Sequence, residues 1–330
     1  MTKLQLDVAR QWVAGLFAQH GAAAATARSV AAALVAAEAD GLKGHGLSRI
    51  PTYVAMLKSG KIDGQAMPTL RRPKPGVALI DAACGFAYPA IDLACAELPA
   101  MARTSGIAIA GITRSSHAGA IGLHVERLAA ENLVTLFFAN TPHAIAPWGG
   151  SKPVFGTNPI AFAAPLPDRA PLVIDLALSK VARGNIVAAQ QKGEAIPQGW
   201  ALDAEGRPTT DANAALAGTM VAMGDAKGAA LALMVEVLAA ALVGSHLSMD
   251  ASSFLDATGP PSETGQSIIV IDPSSLGHGQ FGQSMTRLAD AIESQPGARL
   301  PGQRRLAARA RAAVEGIEVA SALLDQFGAP

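Results

Sequence analysis

A histidine flanked by two glycines, with an arginine shortly after it, has the residue types best suited to acid–base chemistry in this sequence. His45 lies between Gly44 and Gly46, and Arg49 follows on the same helical face if the segment is helical. Histidine exchanges a proton near neutral pH, and the planar guanidinium of arginine binds a carboxylate through two hydrogen bonds. The segment is a candidate proton donor and carboxylate-binding pair, while a plain loop histidine and a solvated surface arginine are the ordinary alternatives.

A turn of small residues between a strand-like and a helix-like segment forms a second candidate site. Residues 115–122 follow the β-branched run 107–113 and precede a helical pattern over 125–132. Such a turn at a helix N-terminus can place backbone N–H groups around an anion, so the segment is a candidate phosphate cradle. The spacing of Gly119 and Gly122 does not match G-x-G-x-x-G, so this is not the Rossmann fingerprint.

Several other residues are candidates for binding a nucleotide or a substrate. Asp175 ends an apolar run, where it could accept a ribose hydroxyl or cap a helix. Lys227, before a long apolar helical pattern, is either a phosphate ligand or an exposed terminal lysine. The segment 183–185 is a further carboxylate-binding candidate, and the turn-rich loops 140–150 and 155–159 can place backbone groups against a flat ring. Arginines near Pro301 could recognise a 2′-phosphate or form a solvated helix face: Arg299, Arg304, Arg305, Arg309 and Arg311.

The spacing of apolar residues predicts the elements that must position these groups. Helical spacing predicts a helical hairpin over 4–19 and 24–39 and further helices over 49–57, 90–104, 125–132, 228–243 and after Pro301. Short apolar runs predict strands over 77–81, 107–113, 133–139, 160–164, 172–175 and 267–271. Loops at the ends of such strands are the usual place for chemistry.

The composition limits the class of protein. A chain of 330 residues can form a large core and two structural units, and its 26 basic and 26 acidic residues balance, which argues against nucleic acid and membrane surfaces as partners. Half of the residues are hydrophobic but only 4% are aromatic, which favours closely packed helices of small residues. Cys84 and Cys95 lack metal-ligand spacing, so we expect reduced core cysteines and no metal. The N-terminus lacks a signal-peptide pattern, which indicates a cytoplasmic protein.

Taken in order, these segments resemble the malate/L-lactate dehydrogenase family, whose nicotinamide-binding fold is distinct from the Rossmann fold and which includes ureidoglycolate dehydrogenases and Δ1-piperideine-2-carboxylate/Δ1-pyrroline-2-carboxylate reductases. The motifs that carry the resemblance are Asp40-Gly41, His45-Gly46, Arg49, Ser116-His117, Pro147, Gly149-Gly150, Gly156-Thr157-Asn158-Pro159, Asp175-Leu176-Ala177, Ala182-Arg183-Gly184 and Lys227-Gly228. Gly259-Pro260-Pro261 and Thr264-Gly265-Gln266 are more similar to the cyclic-imine reductases than to the hydroxy-acid dehydrogenases.

The resemblance implies an α/β fold with a mixed β-sheet flanked by helices, a helical region built from both chain ends, and a homodimer. It implies a helical, substrate-side domain of residues 1–106 with 283–330 and an NAD(P)-binding domain of residues 107–282. His45 would be the proton donor, and Arg49, Thr157, Arg183 and Gly184 would contact the substrate. The cofactor would be lined by His117, Ala118, Gly119, Ala120, Ile121, Gly122, Asp175, Leu176, Ala177, Ala226, Lys227, Pro301, Gly302, Gln303, Arg304, Arg305, Leu306 and Ala307.

Two residues of this chain depart from the pattern that it resembles. The family's imine reductases commonly have a serine before the histidine and an aspartate after Arg-Gly as relay residues, where this chain has Gly44 and Asn185. Glycine offers only its backbone N–H, and asparagine carries no charge to favour an imidazolium. We expect NADPH-dependent reduction of cyclic ketimine carboxylates, with NADH possible. The alternatives are an NAD-dependent dehydrogenase of a 2-hydroxy acid such as malate or lactate, and a cofactor-binding protein without turnover.

Overall fold

The computed structural model describes residues 2–330, which form a seven-stranded sheet, a smaller three-stranded sheet and surrounding helices. The strands are β1 (Thr2–Leu4), β2 (Thr69–Lys74), β3 (Val77–Asp81), β4 (Ile107–Ser115), β5 (Val134–Ala139), β6 (Ile160–Ala164), β7 (Leu172–Leu176), β8 (Ala201–Leu202), β9 (Pro208–Thr209), β10 (Thr219–Met220), β11 (Thr264–Ile271) and β12 (Ile317–Val319). The α-helices are α1 (Leu6–Gln19), α2 (Ala24–Ala39), α3 (Ile50–Ser59), α4 (Ala87–Ser105), α5 (Gly122–Ala130), α6 (Arg183–Lys192), α7 (Ala212–Ala217), α8 (Ala226–Val235), α9 (Phe281–Glu293), α10 (Gln303–Glu315) and α11 (Ser321–Phe327).

The large sheet has the strand order β2-β3-β4-β11-β5-β6-β7, and among these neighbours only β3 and β4 run parallel. β11 is the fourth of the seven strands and pairs with β4 and β5, and its side chains Ile268 and Val270 are fully buried. A sheet with one parallel pair differs from the all-parallel sheet of a doubly wound Rossmann fold. The prediction of a mixed sheet flanked by helices and distinct from the Rossmann fold is confirmed.

The two ends of the described chain meet in a helical region. β1 pairs with β12 in antiparallel register, with Thr2 opposite Val319, and the Trp12 Nε1–H donates to the Gly328 carbonyl oxygen at 2.9 Å. Helix α10 packs on α2. The division of the chain at residue 106 stays a prediction. β2, β3 and α4 come from the first 106 residues, and they belong to the large sheet and its core.

Some elements differ from the sequence prediction for identifiable reasons. The predicted helix over 4–19 begins at Leu6 because the preceding residues pair as β1. The predicted helix over 228–243 is α8 followed by a π-helical turn, Glu236–Ala241. At this turn the buried Glu236 carboxylate accepts from Asn158 Nδ2 at 2.6 Å and from the Ser248 backbone N–H at 3.0 Å. No helix among residues 2–330 is long and apolar enough to cross a membrane.

A buried histidine in helix α5 should make stability fall in mild acid. His124 lies between Tyr88 and Phe137 with its Nδ1 unpartnered, and burial lowers its pKa to about 4. Between that value and the ordinary 6.5 the unfolded chain binds more protons, so stability falls as the pH is lowered. Lowering the pH from 7 to 5 should therefore destabilise the wild type by about 2 kcal/mol relative to the variant His124→Phe. Urea titrations at both pH values measure this shift, and a pH-independent difference would contradict the prediction.

Candidate active site

His45 and Arg49 lie in two successive short 3-10 turns, Lys43–His45 and Leu47–Arg49, that lead into α3. Gly46 separates the turns, and a Cβ atom on it would lie 2.2 Å from Glu38 Oε2 and 3.1 Å from Glu38 Cα, so a larger residue would displace the Glu38 side chain and crowd α2. The same Glu38 oxygen accepts from the Leu47 N–H at 2.9 Å. The two side chains therefore do not share a face of one continuous helix, and α2 fixes the turn that presents His45.

The His45 ring has a nitrogen without a hydrogen-bond partner. Its Nδ1 is buried and finds no hydrogen-bond partner within the described chain, and the ring stacks on His117 at a centroid distance of 5.3 Å and an interplanar angle of 17°. The surrounding protein, and then the positive charge of Arg49, lower the pKa of His45 to about 4. At neutral pH the ring is neutral without a ligand, and once protonated it is a strong proton donor.

Two arginines near the predicted substrate site keep cationic groups without carboxylate partners. Arg49 Nε donates to the Gly44 carbonyl oxygen at 2.7 Å, while its two Nη groups make no hydrogen bond with residues 2–330. Arg183 Nε is buried and unpartnered in the described chain, and burial lowers the pKa of its guanidinium. A half-buried cation without a counterion favours an anionic ligand. Gly44 thus orients Arg49 through its carbonyl group.

The segments predicted to line the cofactor come together around the N-terminus of α5. The Gly122 N–H donates to Asp175 Oδ2 at 2.7 Å, and the carboxylate complements the positive end of the helix dipole. A Cβ atom on Gly302 would lie 3.4 Å from the Val173 carbonyl oxygen, which places residues 301–307 beside β7. Part of the Asp175 surface is exposed, but the many protein atoms around its carboxyl group exclude water on the other sides. This partial loss of hydration outweighs the hydrogen bond from Gly122 and raises the pKa of the carboxyl group to about 6. Asp175 lies within β7, so its interpretation as a helix cap before Leu176 is wrong.

The arginines around Pro301 divide into paired and unpaired members. Arg305 donates to Asp40 at 2.8 Å and to Glu126 at 2.7 and 2.9 Å, and Arg309 donates to the same two carboxylates at 2.7 Å. Arg304 is exposed and makes no ion pair with the described residues. Arg305 and Arg309 are therefore held in ion pairs and do not form a solvated helix face. Of the two arginines predicted to line the cofactor, Arg304 is the one without a carboxylate partner in the described chain.

A ladder of backbone hydrogen bonds links Thr157 to the start of α8. The Leu178 N–H donates to the Thr157 carbonyl oxygen at 2.8 Å, and the Met223 N–H donates to the Leu178 carbonyl oxygen at 2.8 Å. Residues 175–178 therefore lie between Thr157 and the turn before Ala226-Lys227, and the Lys227 side chain is exposed. Asn185 lies in the first turn of α6, and no contact in the described chain joins its side chain to His45.

Sequence reasoning missed the aromatic residues behind His45. The Tyr53 hydroxyl lies 2.6 Å from His117 Nδ1 and 3.0 Å from the Tyr88 hydroxyl, and the Phe254 ring lies 5.3 Å from the His117 ring. The available signal was composition, because these two are the only tyrosines in the sequence and Tyr53 lies one helical turn after Arg49. Residues 2–330 contain no cluster of three or more His, Cys, Asp or Glu side chains that could hold a metal ion.

Comparisons with known proteins agree with this arrangement. A (2R)-3-sulfolactate dehydrogenase (NADP(+)) from Chromohalobacter salexigens is 48% identical over 303 residues, which cover 92% of this chain and 90% of the relative. A Δ1-pyrroline-2-carboxylate/Δ1-piperideine-2-carboxylate reductase from Pseudomonas putida is 42% identical over 309 residues, 92% of this chain and 89% of the relative. The crystal structure of Δ1-piperideine-2-carboxylate reductase from Pseudomonas syringae pv. tomato matches with a TM-score of 0.94 and 36% identity over 99% of both chains. A model of the malate/L-lactate dehydrogenase family matches residues 4–327, so the chain belongs to that family, as its motifs predicted, and is an NAD(P)H-dependent oxidoreductase.

Proposed function

We propose that the protein uses NADPH to reduce cyclic ketimine carboxylates, Δ1-pyrroline-2-carboxylate and Δ1-piperideine-2-carboxylate, to L-proline and L-pipecolate. The observation that carries the proposal is the His45 ring, with a nitrogen that lacks a hydrogen-bond partner, near Arg49, whose Nη groups are unpaired in the described chain. The reductases of these imines from Pseudomonas and Burkholderia, 38–42% identical over most of the chain, support the substrate class. Because the products are L-proline and L-pipecolate, the proposed reaction belongs to the metabolism of proline and related cyclic amino acids.

The chain's own residues bind the substrate and supply a proton. When bound, NADPH would supply the hydride that C2 of the imine accepts. The two Nη groups of Arg49 bind the substrate carboxylate, and Thr157 and Arg183 complete the substrate site. His45 gives the proton that the ring nitrogen needs as the C=N bond becomes CH–NH. A bound carboxylate raises the pKa of His45 again, because it offsets the charge of Arg49 that helps to lower it.

In this proposal the cofactor binds along the residues at the N-terminus of α5. Residues 117–122 provide backbone N–H groups at the start of α5, and Asp175 offers the carboxylate oxygen that Gly122 does not use. Arg304 and Lys227 are exposed cations that can bind the 2′-phosphate and the pyrophosphate. Arg305 holds the segment 301–307 in place through Asp40 and Glu126.

A second candidate function is NADP-dependent interconversion of a 2-hydroxy acid and its 2-oxo acid. The 48% identical sulfolactate dehydrogenase favours it, and so does Arg183, because its unpartnered guanidinium fits the second anionic group of a substrate such as 3-sulfolactate. The two reactions use the same donor and differ in the atom that receives the proton, nitrogen in one and oxygen in the other.

A panel of substrates separates the candidates. Oxidation of NADPH and of NADH is followed with the two imines, 3-sulfopyruvate, pyruvate and oxaloacetate. We expect the highest kcat/KM with an imine and NADPH, and Arg183→Met should lower turnover of 3-sulfopyruvate more than turnover of pyrroline-2-carboxylate. Turnover of oxo acids alone would assign the second function. NADPH binding without turnover of any substrate would show a protein that binds the cofactor only.

We also propose that the protein works as a cytoplasmic homodimer without nucleic-acid or membrane partners. The balanced charge supports the absence of polyanionic partners. The helix α8 and the turn after it expose large apolar side chains to solvent, which supports a face covered by a second copy. These side chains are Leu231, Leu233, Met234, Val237 and Leu242. Light scattering of the purified protein measures the mass, and a monomer at micromolar concentration would overturn the proposal.

A further inference from the structure

A buried row of three hydrogen-bonding side chains lies directly behind the predicted proton donor. The Tyr88 hydroxyl, the Tyr53 hydroxyl and His117 Nδ1 follow one another at 3.0 and 2.6 Å, and the His117 ring stacks on His45. Tyr53 and Tyr88 are 1% and 2% exposed, so water cannot take the place of either partner. The row connects the core of α3 and α4 to the ring that faces His45.

The number of protons in this row decides which nitrogen of His117 carries hydrogen. Neither hydroxyl has another hydrogen-bond partner in the described chain. If His117 donated from Nδ1, Tyr53 would donate to Tyr88, and the Tyr88 proton would be left buried without an acceptor. If Tyr88 donates to Tyr53 and Tyr53 donates to Nδ1, both hydroxyl protons have acceptors. The second arrangement avoids the cost of an unsatisfied buried donor and places the hydrogen of His117 on Nε2.

The remaining charges keep His117 in this neutral form. Burial, and then the positive charge of Arg49 and the neighbouring His45, hold the pKa of His117 well below its usual value. Nε2 makes no hydrogen bond with residues 2–330, so its N–H is open to a ligand. A neutral imidazole N–H donates to an oxygen without adding a charge that would compete with protonation of His45.

We propose that Tyr53, supported by Tyr88, is a positioning residue that fixes the Nε2–H tautomer of His117 and so provides a hydrogen-bond donor beside His45 for an oxygen of the bound ligand. The inference rests on the proposed function, in which that oxygen belongs either to the substrate carboxylate or to the carboxamide of the nicotinamide. In this chain the residues at the relay positions, Gly44 and Asn185, have no titratable side chain, and the Tyr88–Tyr53–His117 row orients a hydrogen-bond donor beside His45 instead.

The test compares Tyr53→Phe, Tyr88→Phe and the double variant, which keep both rings. We expect Tyr53→Phe to lower kcat/KM about tenfold, the factor that one ordinary hydrogen bond represents. Tyr88→Phe keeps the Tyr53–His117 hydrogen bond and should stay within about threefold of wild type. A rise in KM for the substrate points to its carboxylate as the acceptor, and a rise in Kd for NADPH points to the carboxamide.

Stability separates positioning from a merely structural role. Tyr53→Phe leaves the Tyr88 hydroxyl buried without a partner, so its Tm should fall, and the double variant should regain part of that Tm while its kcat/KM stays low. Recovery of activity together with stability would overturn the proposal.

Nitrogen NMR of the ligand-free protein gives a readout that needs no substrate. We expect His117 to show the Nε2–H tautomer in wild type and a mixture of tautomers in Tyr53→Phe. A wild-type spectrum with Nδ1–H would contradict the inference even if the reductase activity is present. The expected spectrum together with inactivity on every substrate would instead count against the proposed function alone.

Discussion

Replacing His45 with alanine should lower kcat by about 10²- to 10⁴-fold, the usual contribution of one positioned acid or base. The His45 imidazole has an unpartnered nitrogen and can release a proton, whereas Gly44 and Asn185 offer no titratable side chain in its place. NADPH binding should change little, because Asp175 and the backbone N–H groups at the start of α5 make no hydrogen bond with this ring. Steady-state kinetics and NADPH titration by fluorescence measure the two quantities on the same sample.

A matched control uses a histidine outside the site. His278 is exposed and lies in the segment before α9, and His278→Ala should keep kcat within about twofold of wild type, as for an ordinary surface substitution. Circular dichroism and thermal unfolding check that both variants are folded. A folded His45→Ala enzyme with full reductase activity would remove His45 from the mechanism.

The substitution Asp40→Ala should destabilise the protein by about 3–5 kcal/mol, the usual cost of breaking a buried ion pair. The Asp40 side chain has no exposed surface and accepts from both Arg305 and Arg309. Its loss leaves two guanidinium groups with Glu126 as their single carboxylate partner in the described chain. Chemical unfolding followed by circular dichroism measures the difference in free energy.

Arg304→Ala provides the control for this cluster. Arg304 precedes Arg305 on α10 but is exposed and makes no ion pair with the described residues, so its replacement should change stability by less than about 0.5 kcal/mol. An equal effect of the two substitutions would show that the burial of the cluster does not control stability. Because Arg305 holds the segment 301–307, Asp40→Ala should also weaken NADPH binding at temperatures where the protein is folded.

The sequence allowed the regular elements to be predicted where one face of an element is apolar over its whole length. The predicted bounds of α2, β3 and β6 are those of the structure, because their apolar spacing begins and ends with the element. The family, and with it the mixed sheet, followed from motifs that are short but ordered along the chain. The small strands β8, β9 and β10 were not predicted, since two residues carry no periodicity.

The site could be predicted only as a list of residues. Contacts such as Tyr53 with His117, or Asp40 with Arg305, join positions far apart in the chain, and packing of whole helices decides them. Local spacing gave the arginines near Pro301 two interpretations, a phosphate site or a solvated face, and neither included burial against Asp40 and Glu126. The low pKa of His45 likewise depends on the protein around its ring, which no local pattern reveals.

The pairing of β1 with β12 has a consequence for how the protein is made. Thr2–Leu4 leaves the ribosome long before Ile317–Val319, which follows every strand of the large sheet, so the helical region around His45 lacks its closing strand while the sheet is being made. The sheet can fold while the chain grows, but the turn that carries the histidine acquires its complete surroundings at the end. Nascent chains therefore contain most of the predicted cofactor-lining residues before the helical region around His45 is complete.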